Sequence, residues 1–218
     1  MQPLKLFSTK ISFIILLAFI FVGCNSTKKV PNGRKLLTNN TILVDDKKDK
    51  NEKIIEQLLD KNSAVVLKGI EAARNHGNIK VFPFLLDVVL NHQDETVVHE
   101  AKNLVFDTKD IKALPMIMER LTSTSANNRK NILLSAIWEA GFNAEEYLED
   151  IVQMGIEGDY LALVEVLSIV DNVDYELSYE LVSDLNLSIN EWIEDNFEDE
   201  KVPLLQTLAM LLNEKSGN

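Results

Sequence analysis

The sequence predicts an all-α protein whose body is an α-solenoid of about five stacked helix pairs. Three observations carry this. From residue 51 onward the apolar residues recur at helical spacing throughout. Eight Gly and five Pro in 218 residues are too few for the turn-dense spacing of a β-sandwich. Residues 63–91 overlay residues 95–123 at an offset of 32, the kind of period at which a helix hairpin repeats.

The overall composition, 46% hydrophobic and 26% charged, is that of a globular chain. A single cysteine excludes a disulfide framework and any multi-cysteine zinc or iron–sulfur site. The net charge of −12 argues against nucleic acid as a partner, because that binding needs a basic footprint. The charge is also polarised. Residues 1–138 carry 20 Lys and Arg against 14 Asp and Glu, a net +6; residues 139–218 carry 2 against 20, a net −18.

The first element is a leader. Lys5 and Lys10 precede an uncharged apolar run over residues 11–22. As a helix this run would rise about 18 Å, short of the roughly 30 Å of a hydrocarbon core, so it reads as a secretory signal over 1–23 rather than a span. It ends in Phe21-Val22-Gly23-Cys24, and Cys24 is the only cysteine. This resembles a bacterial lipobox, which implies cleavage before Cys24 and a lipid on its thiol. Several acyl chains, at about 0.8 kcal/mol per buried CH₂, would anchor the chain stably in a membrane. Asn25 stands where an aspartate would signal inner-membrane retention, so the resemblance implies an outer-membrane lipoprotein.

The second element, residues 24–50, is polar and rich in Asn and Lys, with a turn signal at Pro31-Asn32-Gly33, and reads as a flexible tether. About 26 residues of flexible chain average roughly 28 Å end to end, enough to clear the headgroups. Thr41-Ile42-Leu43-Val44 could form a strand but has none to pair with. The stretch CNSTKKVPNGRKLLTNNTILVDD resembles the mature start of the BamA/TamA-like translocation and assembly module lipoproteins. That resemblance covers only the first 50 residues, and no series of alternating strands for a membrane barrel follows. It implies an address and leaves open that a lipoprotein leader is joined to a different body.

The third element, residues 51–218, is read as about ten helices separated by capped breaks at Asn62-Ser63, Gly77-Asn78, Asp94-Glu95, Gly141-Phe142-Asn143 and Gly158-Asp159. One stripe is Val97, Val98, Ala101, Leu104 and Val105; another is Leu163, Val166, Leu167 and Val170. In the overlay Val65-Val66 falls on Val97-Val98, and IKVFP at 79–83 falls on IKALP at 111–115. Both prolines fall in a first helical turn, where a missing N–H is tolerated. The register continues more loosely to Tyr147-Leu148-Ile151-Val152. IKVFPFLLDVV and IKALPMIMERL resemble the first helix of HEAT repeats, which implies an armadillo-like α-solenoid over 51–218. Tetratricopeptide repeats, the alternative architecture, have a similar period but want a Trp/Gly/Tyr/Pro pattern that is absent here. The helix of 201–215, with Leu204, Leu205, Leu208, Leu211 and Leu212 on one side, is expected to cap the stack.

Reactive chemistry is sparse. His76, His92 and His99 form no HExxH pair and read as solvated residues rather than ligands. There is no GxSxG, phosphate-cradling Gly-rich loop or dinucleotide fingerprint. Glu198-Asp199-Glu200 lacks the alternating spacing of a calcium loop. Trp138 and Trp192 lie within amphipathic helices and read as packing residues. No metal, cofactor or catalytic residue is expected. The expected function is a membrane-tethered, non-enzymatic scaffold for a protein partner. Glu145, Glu146, Glu149, Asp150, Glu157 and Asp159 could share one acidic face, which reads either as solubilising surface or as a site for a basic segment of that partner. The alternatives are an accessory lipoprotein in outer-membrane protein assembly, or a cytoplasmic adaptor if the leader is a rearrangement.

Overall fold

In the computed structural model, the described residues form ten α-helices that alternate between two layers. The structure describes residues 49–123 and 129–217. The expected signal segment, Phe21, Val22, Gly23, Cys24 and the tether to residue 48 lie outside the described residues. The helices are α1 (Lys50–Leu58), α2 (Ser63–His76), α3 (Phe82–Asn91), α4 (Glu95–Phe106), α5 (Ala113–Ser123), α6 (Lys130–Glu139), α7 (Leu148–Glu157), α8 (Tyr160–Asp171), α9 (Tyr179–Asp195) and α10 (Val202–Glu214). Each odd helix packs on the even helix that follows it. The even helices form an unbroken row in which α2, α4, α6, α8 and α10 each meet the next; on the other side α1, α3 and α5 form one run and α7 and α9 another. Five helix hairpins thus stack into an all-α repeat-like fold. Among the described residues β pairing is limited to one isolated bridge, Leu177 with Ser216, which pins the C-terminal tail beside the start of α9.

The stack holds together because each hairpin hides its stripe against the next. Val97, Ala101 and Val105 on α4, Ile117 on α5, Leu133 and Ile137 on α6, and Leu163, Val166 and Val170 on α8 are all fully buried in one cluster. Each such Val, Leu or Ile side chain contributes roughly 1.5–3 kcal/mol, against the entropy of ordering it. Leu104, read from the sequence as part of the seam, is only half-buried, because Val105 takes the inward position on that turn.

The repeat recurs in the capping chemistry. Asn62 and Asp94, 32 positions apart, each accept the N–H two residues on, from Ala64 and Thr96, both at 2.9 Å. Asn78, Asp110 and Asn143, spaced by 32 and 33, likewise accept from Lys80, Lys112 and Glu145 at 2.9, 3.0 and 2.9 Å. Each satisfies a donor that the start of a helix leaves open. The Ser63 side chain and the Thr96 N–H, both hydrogen-bonded to the Asp94 carboxylate, hold its pKa below the usual carboxylate value. At the other end of α6, Gly141 takes φ +70°, and the Phe142 N–H reaches back to the Ile137 carbonyl at 3.0 Å. That left-handed position ends the helix at low cost only with glycine.

Side chains also tie together the first three hairpins. Arg74 donates to Asp107 at 3.1 Å, Arg120 grips Asp87 at 2.9 and 3.3 Å, and Lys109 donates to the Ala140 carbonyl at 2.8 Å. Arg129 donates to the His92 carbonyl at 2.6 Å and pairs with Glu95. Exposed ion pairs contribute little to stability, about 0–1 kcal/mol each, so their effect here is to fix the register of the stack.

Candidate interaction surface

The two halves of the stack use their charges differently. The four ion pairs seen among the described residues, Arg74 with Glu100 and Asp107, Arg120 with Asp87, and Arg129 with Glu95, all lie between residues 74 and 129. In the −18 half both lysines are turned onto the backbone. Lys201 donates to the Ile156 and Gly158 carbonyls at 2.7 and 2.8 Å, where α7 ends. Lys215 donates to the Asp171 carbonyl at 2.9 Å and to the Val173 carbonyl, where α8 ends. A cation at a helix C-terminus meets its unpaired carbonyls and the negative end of its dipole. Among the described residues, the exposed carboxylates of 139–217 form no salt bridge.

All six carboxylates expected on one acidic face are exposed, but they do not act alike. Glu149 and Asp150, in the first turn of α7, come together with Asp184 of α9 along a groove of about 270 Å³ floored by Leu181 and Leu185. Glu157, in the last turn of α7, accepts from the Gln153 amide at 2.6 Å. Asp159 is the N-cap of α8 and accepts the Ala162 N–H at 2.8 Å. Glu146 is exposed on the short 3-10 turn Glu145–Tyr147 that precedes α7. Glu145, on the same turn, acts on Tyr175. Burial first, and then the negative charges of Glu145 and Asp174, push the Tyr175 phenol up to about 12. The Tyr175 hydroxyl is buried without a hydrogen-bond partner, beside a groove that Trp138, Phe142 and Asn172 also line.

Sequence reasoning missed Asp184, because α9 lies far along the chain from the α7 carboxylates it joins. A helical stripe of Glu180, Asp184 and Glu191, alternating with Leu181 and Leu185, was the available signal.

The histidines do structural work or none. His76 ends α2, exposed; His99 on α4 bonds to the Asn103 amide at 3.1 Å; half-buried His92 accepts the Asp94 N–H at 3.1 Å. Trp138 and Trp192 are half-buried against the core, and the Trp138 indole donates to Glu165 at 2.8 Å. Asp199 accepts the Lys201 N–H at 2.8 Å and so shapes the turn into α10. Among the described residues no group of three or more His, Cys, Asp or Glu is arranged to hold a metal ion, and no helix is long and apolar enough to cross a membrane.

The fold defines a stack of helix hairpins with one neutralised and one acidic half. No family model, no curated protein and no solved structure matches the chain.

Proposed function

We propose that this chain is a lipid-tethered, non-enzymatic HEAT-type scaffold that presents its acidic half to a basic segment of a protein partner. The observation that carries the reading is the segregation of charge. Glu149, Asp150 and Asp184 converge on one groove while Lys201 and Lys215 are committed to backbone carbonyls. Like charges gathered on a surface destabilise the compact state slightly, so such a surface needs an offsetting role, and recognition of opposite charge supplies one. The sequence of the leader supports the tether: residues 24–50 are long enough to hold the scaffold clear of the headgroups.

The test begins with a photo-crosslinker at Gln153, exposed beside the groove, to capture the partner in cells. Association with that partner is then followed from low to high salt. Complementary charge predicts association that slows as salt rises, since charges farther apart than about 10 Å are screened at 0.1 M. Combined Glu149→Lys, Asp150→Lys and Asp184→Lys should slow it severalfold. Association indifferent to both salt and these reversals would reduce the acidic groove to solubilising surface.

A further inference from the structure

The stack repeats its clefts as well as its caps. A cleft of about 270 Å³ lies where α2 ends against the turn after α4, with Ala73, Gly77, Asn78, Lys109 and Asp110 in its lining. Two repeats on, 65 positions along the chain, an equivalent cleft of about 410 Å³ lies where α6 ends against the turn after α8. There Trp138 stands in the place of Ala73, Phe142 of Gly77, Asp174 of Lys109 and Tyr175 of Asp110, while Asn143 keeps the place of Asn78. The second cleft therefore has three aromatic residues that the first lacks at these positions, and a carboxylate where the first has an ammonium.

The fold fixes these walls. Trp138 and Phe142 are half-buried against the core, and the Trp138 indole N–H donates to Glu165 of α8 at 2.8 Å. The Tyr175 hydroxyl is buried beside the cleft with no hydrogen-bond partner, a group that costs free energy until something meets it. Asp174 is exposed in the lining, and its charge and that of Glu145 both act on the Tyr175 phenol. Neither carboxylate forms a salt bridge among the described residues. The lysines that reach the ends of α6 and α8, Lys109 and Lys215, donate to the carbonyls of Ala140, Asp171 and Val173.

We propose that this cleft receives an arginine side chain from a basic segment of the protein partner, its guanidinium among Trp138, Phe142 and Tyr175 with Asp174 as counter-ion. The chemistry of the lining selects the residue. Aromatic faces attract cations, most strongly where water is displaced. A guanidinium is planar and weakly hydrated and carries five N–H donors, so it stacks on rings while serving a carboxylate and a hydroxyl; an ammonium is compact and strongly hydrated. A neutral apolar side chain would desolvate Asp174 without compensation. This inference rests on the reading of the acidic half as a site for a basic segment, and it names one side chain of that segment and the place that takes it.

The probe is N-acetyl-arginine amide, compared with N-acetyl-citrulline amide, which keeps the shape and loses the charge, and with N-acetyl-lysine amide. Chemical shifts of the full-length chain in detergent locate binding. The arginine compound, at millimolar concentration, should give saturable shifts of the Trp138 indole N–H and of amides in 137–144 and 169–175. Amides around the earlier cleft, 73–82 and 104–110, should stay still. The citrulline compound should bind roughly tenfold more weakly or worse, and the lysine compound severalfold more weakly. Asp174→Asn should weaken arginine binding roughly fivefold, and Asp174→Lys, which places there the residue of the earlier cleft, should abolish it. Both variants should melt with the parent, because the side chain is exposed. Asp174→Lys should also weaken binding of the partner captured in cells. Equal binding of the citrulline or lysine compound, no saturable shift at the cleft, or a partner indifferent to Asp174→Lys would overturn the inference. Shifts confined to 149–153 and 181–188, and abolished by Glu149→Lys with Asp184→Lys, would overturn it while leaving the acidic-groove reading intact.

Discussion

Lys201 holds its ammonium 4.4 Å from the centre of the Trp192 ring while donating to two carbonyls at the end of α7. Three elements meet at this one side chain: α7, the last turns of α9 and the start of α10. It is only 8% exposed, the one charged or polar residue buried among the described residues. The arrangement explains how a half of net −18 packs closely, since its cations serve the backbone and nearly all its anions stay exposed to water.

Lys201→Met keeps most of the stem's packing and removes the ammonium. Two helix-end carbonyls then lose their donor and the ring loses its cation. Together these should cost roughly 2–4 kcal/mol. Chemical denaturation checks this, and a loss below about 0.5 kcal/mol, within the ordinary range of surface changes, would mean water replaces the clamp freely.

The seam between hairpins can be tested at α4. Val105 is fully buried and His99, on the same helix, is exposed. Val105→Asp forces a carboxylate into an apolar site, where it is charged at a high desolvation cost or protonated. That variant should melt far below the parent, and His99→Asp close to it. Equal melting temperatures would place the seam elsewhere.

Tyr175 gives the fold a signature at alkaline pH. Its folded pKa of about 12 lies above the ordinary value of 10, so folding favours the neutral phenol. The associated stability is complete below pH 10 and is lost as pH rises from 10 toward 12. Absorbance titration should show a late phenol ionisation from Tyr175, and Tyr175→Phe should abolish that step and flatten the alkaline decline. The substitution should leave neutral-pH stability unchanged or higher, because it removes a buried hydroxyl that has no partner. A titration that Tyr175→Phe leaves unchanged above pH 10 would contradict the burial.

Most of the fold was legible because the apolar stripes and the break residues agree. Asn62, Asp94 and Asp159 stand immediately before apolar runs, and each caps the helix that follows. The surface was less legible. Asp159 fits a helix cap and an acidic ridge equally well in one dimension, and only the position of the first turn of α8 decides between them. Leu104 and Val105 differ by one residue, about 100° of helix rotation, which a periodic pattern does not resolve. Lys201 and Lys215 reach carbonyls 42 to 45 positions away, and nothing local to either lysine signals such a reach. Asp184 joins Glu149 only through the packing of α9 on α7.

The intact mass of the mature protein tests the proposed lipid anchor at Cys24. The protein recovered from the membrane fraction should begin at Cys24 and carry the added mass of a diacylglyceryl group, with acyl chains further. Cys24→Ala should abolish that mass and accumulate precursor retaining residues 1–23. A wild-type chain found soluble, unlipidated and with residues 1–23 intact would rule out the anchor.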